Sequence, residues 1–126
     1  MDINHLDIQI TCMATAIYAE ANTQSNEAKY GVGYLILNRV KNGNFGKDIC
    51  EVVYKNGQFE GVHAIITNRH SYPTKLDMIN TKLLALKVYT HKVINPVGNS
   101  LYFHDDSISS MPWGKRTTKI DNLIFY

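Results

Sequence analysis

Apolar side chains near the start of the chain follow the three-and-four spacing of one helical face. They are Ile10, Met13, Ala14, Ile17, Tyr18 and Ala21. This spacing predicts a first helix over about residues 6–21, with Glu20 near its C-terminal end. A carboxylate is unfavourable there because that end of the helix dipole is also negative, so helix stability alone does not explain Glu20.

A second helix is predicted to begin after Ser25 and to continue to about Lys41. Ser25 can cap its N-terminus, and Glu27 lies in the first turn, where the helix dipole favours a carboxylate. Gly31 and Gly33 lower the helix propensity of this segment. Small residues of this kind often allow a neighbouring element to come close, so we expect tight packing at these two positions.

The middle of the chain is predicted to contain loops and two further helical segments. DICEVVYK at 48–55 suggests a short helix or turn, and residues 59–73 are predicted to form the longest loop. Thr74 and Asp77 have the spacing of a capping box, which predicts a helix reaching about residue 92. One apolar stripe of this helix is predicted to face the core. It consists of Leu76, Ile79, Leu83, Leu86 and Val88.

Two β-like runs lie near the end of the chain. SLYFH at 100–104 and NLIFY at 122–126 are rich in aromatic and branched residues, and an irregular stretch joins them. They predict a small hairpin, or two extended strands, packed on the helices. Because no internal repeat or interdomain linker is visible, the pattern predicts one α+β, predominantly helical domain over residues 1–126.

The composition of the 126-residue chain is that of an ordinary globular protein. Hydrophobic residues make up 44% and charged residues 19%, and the formal net charge is +2. The basic residues are spread along the chain, so the charge gives no indication of nucleic-acid binding. Cys12 and Cys50 allow at most one disulfide and form no CxxC or Cys/His zinc spacing, so both are expected to be buried thiols.

The N-terminal segment lacks the basic residues that begin a secretory signal. No apolar run approaches the roughly 20 residues that a membrane-spanning helix requires. We therefore expect a soluble chain without a signal peptide and without stable insertion into a membrane.

Glu20 has the setting that a catalytic acid requires. Cleavage of a glycosidic bond needs a carboxylic acid that stays protonated near neutral pH, and burial beside apolar groups achieves this by raising the pKa. Ala16 and Ile17 lie one helical turn before Glu20 and place it at the border of the predicted core. The spacing by itself more often marks an ordinary residue at the edge of an apolar face.

Five short segments give this position a more specific meaning. They are ATAIYAEAN at 14–22, GVGYLILNRVKNGNFGKDICEVVY at 31–54, GQF at 57–59, LYFH at 101–104 and KIDNLIFY at 119–126. With these segments in this order, the chain resembles the SleB-like cell-wall hydrolase family. The resemblance implies a lysozyme-like, transglycosylase-related fold, and it places Glu20 at the position of the family's catalytic glutamate.

The resemblance also implies a reaction on the glycan strand of peptidoglycan, between N-acetylmuramic acid and N-acetylglucosamine. A lytic transglycosylase can work with one carboxyl group, which first protonates the glycosidic oxygen and then accepts the proton of the attacking C6 hydroxyl. The product is a 1,6-anhydro sugar, and the family implies no metal and no cofactor. This chain departs from the family pattern at Ala19, Asp121 and Leu123, where Gly, Gly and His are usual.

Four further residues are expected to bind substrate. Gln58 can bond an N-acetyl group or a sugar hydroxyl, and Phe59 can cover a sugar ring, although a place in the core would suit Phe59 equally well. If residues 101–104 form a strand, Tyr102 and His104 point to the same side, and we expect them to line the cleft.

Other polar and aromatic residues have more than one interpretation. Asn38 and Arg39 match the family, but such a pair on a buried helix is expected to bond backbone or carboxylate groups. Trp113 either caps a sugar subsite or anchors the tail. A hydrolytic, lysozyme-type mechanism would need a second carboxylate, although solvated surface charge is the more usual role for each candidate. The candidates are Glu27, Glu60, Asp105 and Asp106.

Two other classes of protein stay open at this point. Five histidines suggest a zinc amidase, but none forms an HExxH motif, and His104 with Asp106 supplies only two ligands. A non-catalytic wall-binding module would keep the aromatic loops but would have no need of Glu20.

The arrangement resembles that of a bacteriophage lysis protein or a virion-borne enzyme, because a catalytic domain stands without a signal peptide or wall-binding repeats. We expect synthesis in the cytoplasm, with access to the wall through a holin or a virion. The expected partner is the peptidoglycan glycan strand, bound by a monomer that binds no nucleic acid.

Overall fold

The computed structural model describes residues 3–109 and 111–126. Within these ranges the chain forms five helices followed by three short strands. The helices are α1 (Ile3–Ala21), α2 (Asn26–Asn42), α3 (Ile49–Tyr54), α4 (Glu60–Ile66) and α5 (Lys75–Tyr89). The strands are β1 (Phe103–Asp105), β2 (Thr118–Ile120) and β3 (Leu123–Phe125).

Helix α1 is the element around which the other helices pack, since it contacts α2, α3, α4 and α5. It begins at Ile3, earlier than the apolar spacing predicts, and from Gln9 to Ile17 every residue except Thr11 is buried. Glu20, near the C-terminal end of this helix, is only partly exposed. No helix in the described part of the chain is long and apolar enough to cross a membrane.

Helix α2 begins and packs as its sequence predicts. Ser25 is its N-cap, and the side-chain oxygen accepts a hydrogen bond from the Ala28 backbone at 3.2 Å. A Cβ atom at Gly31 would lie 3.0 Å from the Phe125 ring, and one at Gly33 would lie 3.0 Å from the Val88 side chain. The close approach expected at the two glycines is therefore made by side chains of β3 and α5.

Helix α5 has the predicted capping box at Thr74 and Asp77, but it turns a different face to the core. The buried positions are Thr81, Ala85 and Val88. These smaller side chains allow α5 to pack closely on α1 and α2. Most of the predicted stripe points outward instead, and its four large members are 41–66% exposed. They are Leu76, Ile79, Leu83 and Leu86.

The segment predicted as one long loop, residues 59–73, contains helix α4. The sequence gives little indication of where this helix begins. Its N-cap residue, Phe59, makes no side-chain capping bond, and Gly61 in its first turn lowers the helix propensity. Three apolar side chains stabilise it by burial against the core: Val62, Ala64 and Ile65. The true loop is shorter and follows α4.

The three strands form one antiparallel sheet in the order β1-β3-β2. The two predicted β-like runs pair with each other, with Phe103 opposite Phe125, and the fully buried Phe125 packs against α2. Strand β2 was absent from the prediction. It joins β3 through a tight turn in which Asp121 has a φ of 51°, a conformation that suits the glycine usual at this position.

Cys12 and Cys50 form a disulfide between α1 and α3, with their Cα atoms 5.2 Å apart. The expectation of two buried thiols is therefore wrong. The two cysteines are 38 positions apart, and no sequence pattern between them indicates that α3 docks on α1, which is what brings the two side chains together.

Removing the disulfide is expected to destabilise the fold without dismantling it. The bond closes a long loop and restricts the unfolded chain, so a Cys12→Ala/Cys50→Ala variant should lose about 2–4 kcal/mol of unfolding free energy. Urea denaturation measures this loss. A reducing agent should lower the stability of the wild type to that of the variant and leave the variant unchanged; equal wild-type stability with and without reductant would contradict the pairing.

Candidate active site

A cleft of about 620 Å³ lies where the C-terminal end of α1, the turn before α4 and strand β1 meet. Four of the five predicted site residues line it: Glu20, Gln58, Tyr102 and His104. They come from three separate elements, so the fold assembles the site from residues that are distant in the sequence.

Glu20 holds its carboxyl group at one wall of this cleft. Its Oε2 atom accepts a hydrogen bond of 3.0 Å from the backbone N–H of Gly61, in the first turn of α4. Burial raises the pKa of Glu20 from 4.5 to about 7, the Gly61 N–H opposes this rise, and the charge of Glu60 adds to it. Close to neutral pH the group therefore exists in both protonation states.

Gly61 allows the carboxyl group to occupy this position. A Cβ atom at residue 61 would lie 2.2 Å from Oε2 of Glu20 and 2.7 Å from the carbonyl oxygen of Ala19. Both distances are far shorter than a van der Waals contact, so a larger residue would displace the carboxyl group, helix α4 or both. Nothing in the sequence singles out Gly61, because its importance arises from the packing of α4 on α1.

Gln58 lies in the turn before α4 and is held by Arg39, which lines the same cleft. The Arg39 Nη1 group donates a hydrogen bond of 3.0 Å to Oε1 of Gln58, and its Nε group donates one of 2.7 Å to the carbonyl oxygen of Leu101. Asn38 is structural, since its amide donates to the carbonyl oxygens of Gly98 and Ser100. The expected bonding of the Asn38–Arg39 pair to backbone groups is confirmed.

Arg39 is a buried cation surrounded by aromatic rings. Its guanidinium carbon lies 4.6 Å from the ring centre of Phe45, 5.2 Å from that of Phe59 and 5.7 Å from that of Tyr102. The electron-rich ring faces offset part of the cost of burying the charge. Burial lowers the pKa of Arg39 to about 10, so it stays charged at neutral pH.

Phe59 does not line the cleft, which corrects the expectation that its ring covers a sugar. Its side chain is 3% exposed and packs between Arg39 and the ring of Phe103. From within the core, Phe59 therefore supports Arg39 and Phe103, which line the cleft. Phe103 itself contributes to the cleft lining, so strand alternation does not separate it fully from Tyr102 and His104.

His104 is part of a connected aromatic wall. Its Nδ1 atom donates to the carbonyl oxygen of Asp105 at 2.6 Å, because a carbonyl can only accept. In the neutral ring, Nε2 then accepts from the hydroxyl of Tyr126 at 2.9 Å. With both nitrogens occupied and 8% of the residue exposed, His104 presents mainly its ring to the cleft.

Trp113 both lines the cleft and holds its segment to the sheet. Its ring stacks on Tyr102, with the centroids 5.1 Å apart, and meets Tyr126 edge to face at 5.4 Å. Leu123, which stands where the family usually has His, is buried and adds an apolar surface to the same cleft. An aromatic and apolar wall of this type suits the faces of sugar rings.

The four candidate second carboxylates separate into two pairs. Glu60 and Asp105 line the cleft, and the hydrogen bonds from Ser107 hold the pKa of Asp105 below its usual value. Asp106 pairs with Lys119 at 3.3 Å, and Glu27 lines a separate surface pocket beside α2. Among the carboxyl groups of the cleft, the pKa of Glu20 is thus raised and that of Asp105 is lowered.

The described residues contain no group of three or more His, Cys, Asp and Glu side chains placed to hold a metal ion. His104 and Asp106, the two-ligand fragment of the sequence, have separate partners, Tyr126 and Lys119.

Comparison with known proteins gives a family and a fold. A family model described as Cell Wall Hydrolase matches residues 23–126. The matched range begins after Glu20, so the assignment of Glu20 rests on the site geometry and on the motif around it. No curated protein matches the chain.

Two solved structures are similar over 93% of this chain at 24% identity. One is the catalytic domain of the germination-specific lytic transglycosylase SleB from Bacillus anthracis, with a TM-score of 0.72 and 92% of that chain covered. The other is the catalytic domain of the Bacillus cereus SleB protein, with a TM-score of 0.73 and 88% covered. The likeness confirms the expected α+β, predominantly helical, lysozyme-like fold.

Replacing Glu20 with Gln is expected to make stability less dependent on pH. In the unfolded chain Glu20 loses its proton near 4.5, whereas in the fold it keeps the proton until about 7. As the pH rises through this interval, the free energy of unfolding should therefore fall by up to roughly 3 kcal/mol in the wild type. Glu20→Gln lacks this titration. Urea denaturation of both proteins at about pH 4 and about pH 8 tests it; parallel changes in the two would contradict the raised pKa.

Gly61→Ala is expected to destabilise the protein by roughly 1–3 kcal/mol, although alanine is the better helix former, because the added Cβ meets the Glu20 carboxyl group. A Glu20→Ala background removes that carboxyl group and should reduce the cost of Gly61→Ala. A double-mutant cycle measured by thermal denaturation gives the coupling between the two positions. Costs that simply add would show that Gly61 does not position Glu20.

Proposed function

This chain belongs to the cell wall hydrolase family and is a peptidoglycan-degrading enzyme; we propose that residues 1–126 form one catalytic domain that cleaves the glycan strand as a lytic transglycosylase. The bond cleaved joins N-acetylmuramic acid to N-acetylglucosamine, and Glu20 serves first as the acid and then as the base. The observation that carries this proposal is the enclosed carboxyl group of Glu20, whose pKa burial raises to about 7 at the wall of a cleft.

The reaction needs one proton donor that can become a proton acceptor. Protonated Glu20 donates its proton to the glycosidic oxygen while the bond from this oxygen to C1 breaks and positive charge develops at C1. The Glu20 carboxylate then takes the proton of the C6 hydroxyl as that oxygen bonds to C1. The second step restores protonated Glu20 and yields the 1,6-anhydro ring, so the proton count balances.

Two opposing influences on Glu20 suit both steps. Burial favours the protonated form, which the first step consumes, and the Gly61 N–H bonds to the carboxylate, which the second step uses. A catalytic group works best when its pKa lies near the working pH, because both forms are then accessible. The C6 hydroxyl is tethered to the sugar it attacks, so its effective concentration far exceeds that of an oriented water molecule.

The cleft walls offer the contacts that a glycan strand requires. Trp113 and Tyr102 present aromatic surface for sugar faces, and Gln58 presents an amide for a polar substituent. His104 offers the surface of its ring to the glycan strand, because both of its ring nitrogens are bonded within the protein.

A hydrolytic muramidase is the second candidate, and Asp105 favours it. Asp105 lines the same cleft as Glu20, and the Ser107 hydrogen bonds lower its pKa, so the cleft offers one carboxyl group of raised pKa and one of lowered pKa. That division is what a two-carboxylate glycosidase uses. In such a reaction Asp105 would position water or stabilise the charge at C1.

Replacing Glu20 with Gln should lower wall-degrading activity by about 10²- to 10⁴-fold, because the amide cannot donate the proton. Turbidity loss of purified cell walls measures this activity. Glu27→Gln is the matched control, since Glu27 lies outside the cleft and its loss should leave activity near that of the wild type. Near-normal turnover by Glu20→Gln would refute the assignment.

The two candidate reactions differ in their products. Mass spectrometry of a digest should show 1,6-anhydro-muramyl ends, each lighter by one water than a hydrolytic end and not reducible by borohydride. On this proposal Asp105→Asn retains anhydro products, as does the exposed neighbour variant Asp106→Asn. Reducing N-acetylmuramic acid ends that disappear in Asp105→Asn, and persist in Asp106→Asn, would establish the hydrolytic mechanism instead.

A further inference from the structure

Helix α5 leaves an apolar stripe uncovered on the face that points away from the core. The residues of α5 that pack on α1 and α2 lie on its other side. The members of the stripe recur at intervals of three, four and three residues: Leu76, Ile79, Leu83 and Leu86. This is the a and d spacing of a coiled coil, a stripe narrower than the one a helix usually turns to a protein core. The spacing therefore indicates contact with another helix.

Helix α1 supplies the second wall of a groove beside this stripe. The groove has a volume of about 300 Å³, and Leu83 and Leu86 line it from α5. Ile3, Leu6 and Ile10 line it from α1 and repeat the three-and-four spacing. Ile3 is 84% exposed, so much of this wall is also uncovered. Two helical walls with the same apolar spacing form a concave seat that fits a third helix.

The charged side chains along the groove determine which kind of helix fits it. Lys75, Lys82 and Lys87 occupy the positions beside the α5 stripe that flank the seam of a coiled coil. Lys82 is paired with Asp7 of α1 at 2.6 Å. Lys75 and Lys87 are exposed, and neither forms an ion pair with an acid in the described part of the chain. Uncompensated positive charge therefore flanks the seam.

We infer that this groove docks an acidic amphipathic helix of a partner protein, with apolar residues at a and d and with Glu or Asp beside them. A second copy of this chain fits less well, because pairing α5 with itself would bring lysines against lysines. A lipid surface also fits less well, because a bilayer accepts a broad apolar face, whereas this stripe is narrow and borders a concave groove. No described residue lines both this groove and the Glu20 cleft, so the inference goes beyond the proposed function.

Two synthetic peptides test the inference on the intact chain. Each has three heptads with Ile at a and Leu at d; one carries Glu at e and g and the other carries Lys, so like charges keep each peptide from pairing with itself. In fluorescence anisotropy at low salt, the Glu peptide should bind roughly tenfold or more tightly than the Lys peptide, because opposite charges at the rim attract. High salt should reduce this difference by screening exposed charges. Equal affinities at low salt, or no binding of either peptide, would overturn the inference.

Ile79→Gln/Leu83→Gln tests the apolar stripe. The two side chains are 50% and 57% exposed, and Gln is a good helix former, so the variant should fold, which circular dichroism checks. Affinity for the Glu peptide should fall roughly tenfold or more, because two seam contacts are lost, while wall-degrading activity stays at the wild-type level. Ile94→Gln is the matched control, since Ile94 is 89% exposed and lines a different surface pocket. Full affinity in a folded Ile79→Gln/Leu83→Gln protein would overturn the inference.

Lys75→Glu/Lys87→Glu tests the charges beside the seam. Reversing both charges should reverse the preference, so that the Lys peptide binds more tightly than the Glu peptide. Lys41→Glu/Lys47→Glu changes the net charge equally at exposed positions outside the groove and should keep the wild-type preference. A preference for the Glu peptide that survives in Lys75→Glu/Lys87→Glu would show that these lysines do not select the partner.

Two further measurements address the other possible occupants. Sedimentation equilibrium of the chain alone should give the mass of a monomer, and co-sedimentation with vesicles that contain phosphatidylglycerol should show no binding. A dimer that Ile79→Gln/Leu83→Gln dissociates would overturn the inference in favour of a second copy. Vesicle binding that the same variant abolishes would overturn it in favour of a lipid surface.

Discussion

The hydrogen bond between the Gly61 backbone and the Glu20 carboxyl group is the contact on which the site depends. It forms where α4 packs on the C-terminal part of α1, a helix that α2, α3 and α5 also contact. It also requires that residue 61 carry no side chain, since a Cβ would occupy the place of the carboxylate oxygen. One backbone contact thus links the packing of α4 on α1 to the protonation of Glu20.

The same arrangement explains why the cleft combines a raised and a lowered carboxyl pKa. Glu20 is surrounded by protein, and burial dominates its pKa. Asp105 lies on the exposed side of the sheet, where Ser107 donates to its carboxylate. Arg39 contributes to neither, because its charge is directed to Gln58 and to the carbonyl of Leu101. The Glu20 carboxyl group, the Arg39 guanidinium and the Asp105 carboxylate therefore have separate hydrogen-bond partners.

Features set by neighbouring residues in the sequence were predictable, and those set by distant contacts were not. The Ser25 cap and the Thr74 capping box follow from a few adjacent positions, and Glu20 lies in a recognisable motif. By contrast, the face of α5 that enters the core was predicted wrongly, because close packing on α1 and α2 favours Ala85 over larger side chains. The burial of Phe59, the Cys12 disulfide and the short helix α4 likewise depend on how remote segments meet.

If the fold keeps Glu20 protonated up to neutral pH, the chemical shift of its carboxyl carbon reports this directly. With ¹³C-labelled glutamate, an NMR titration resolves each side-chain carboxyl resonance, and the spectrum of Glu20→Gln identifies the one that belongs to Glu20. This resonance should titrate with a midpoint near pH 7, because burial raises the pKa of Glu20. A midpoint near 4.5, the value of an unperturbed glutamate, would contradict it.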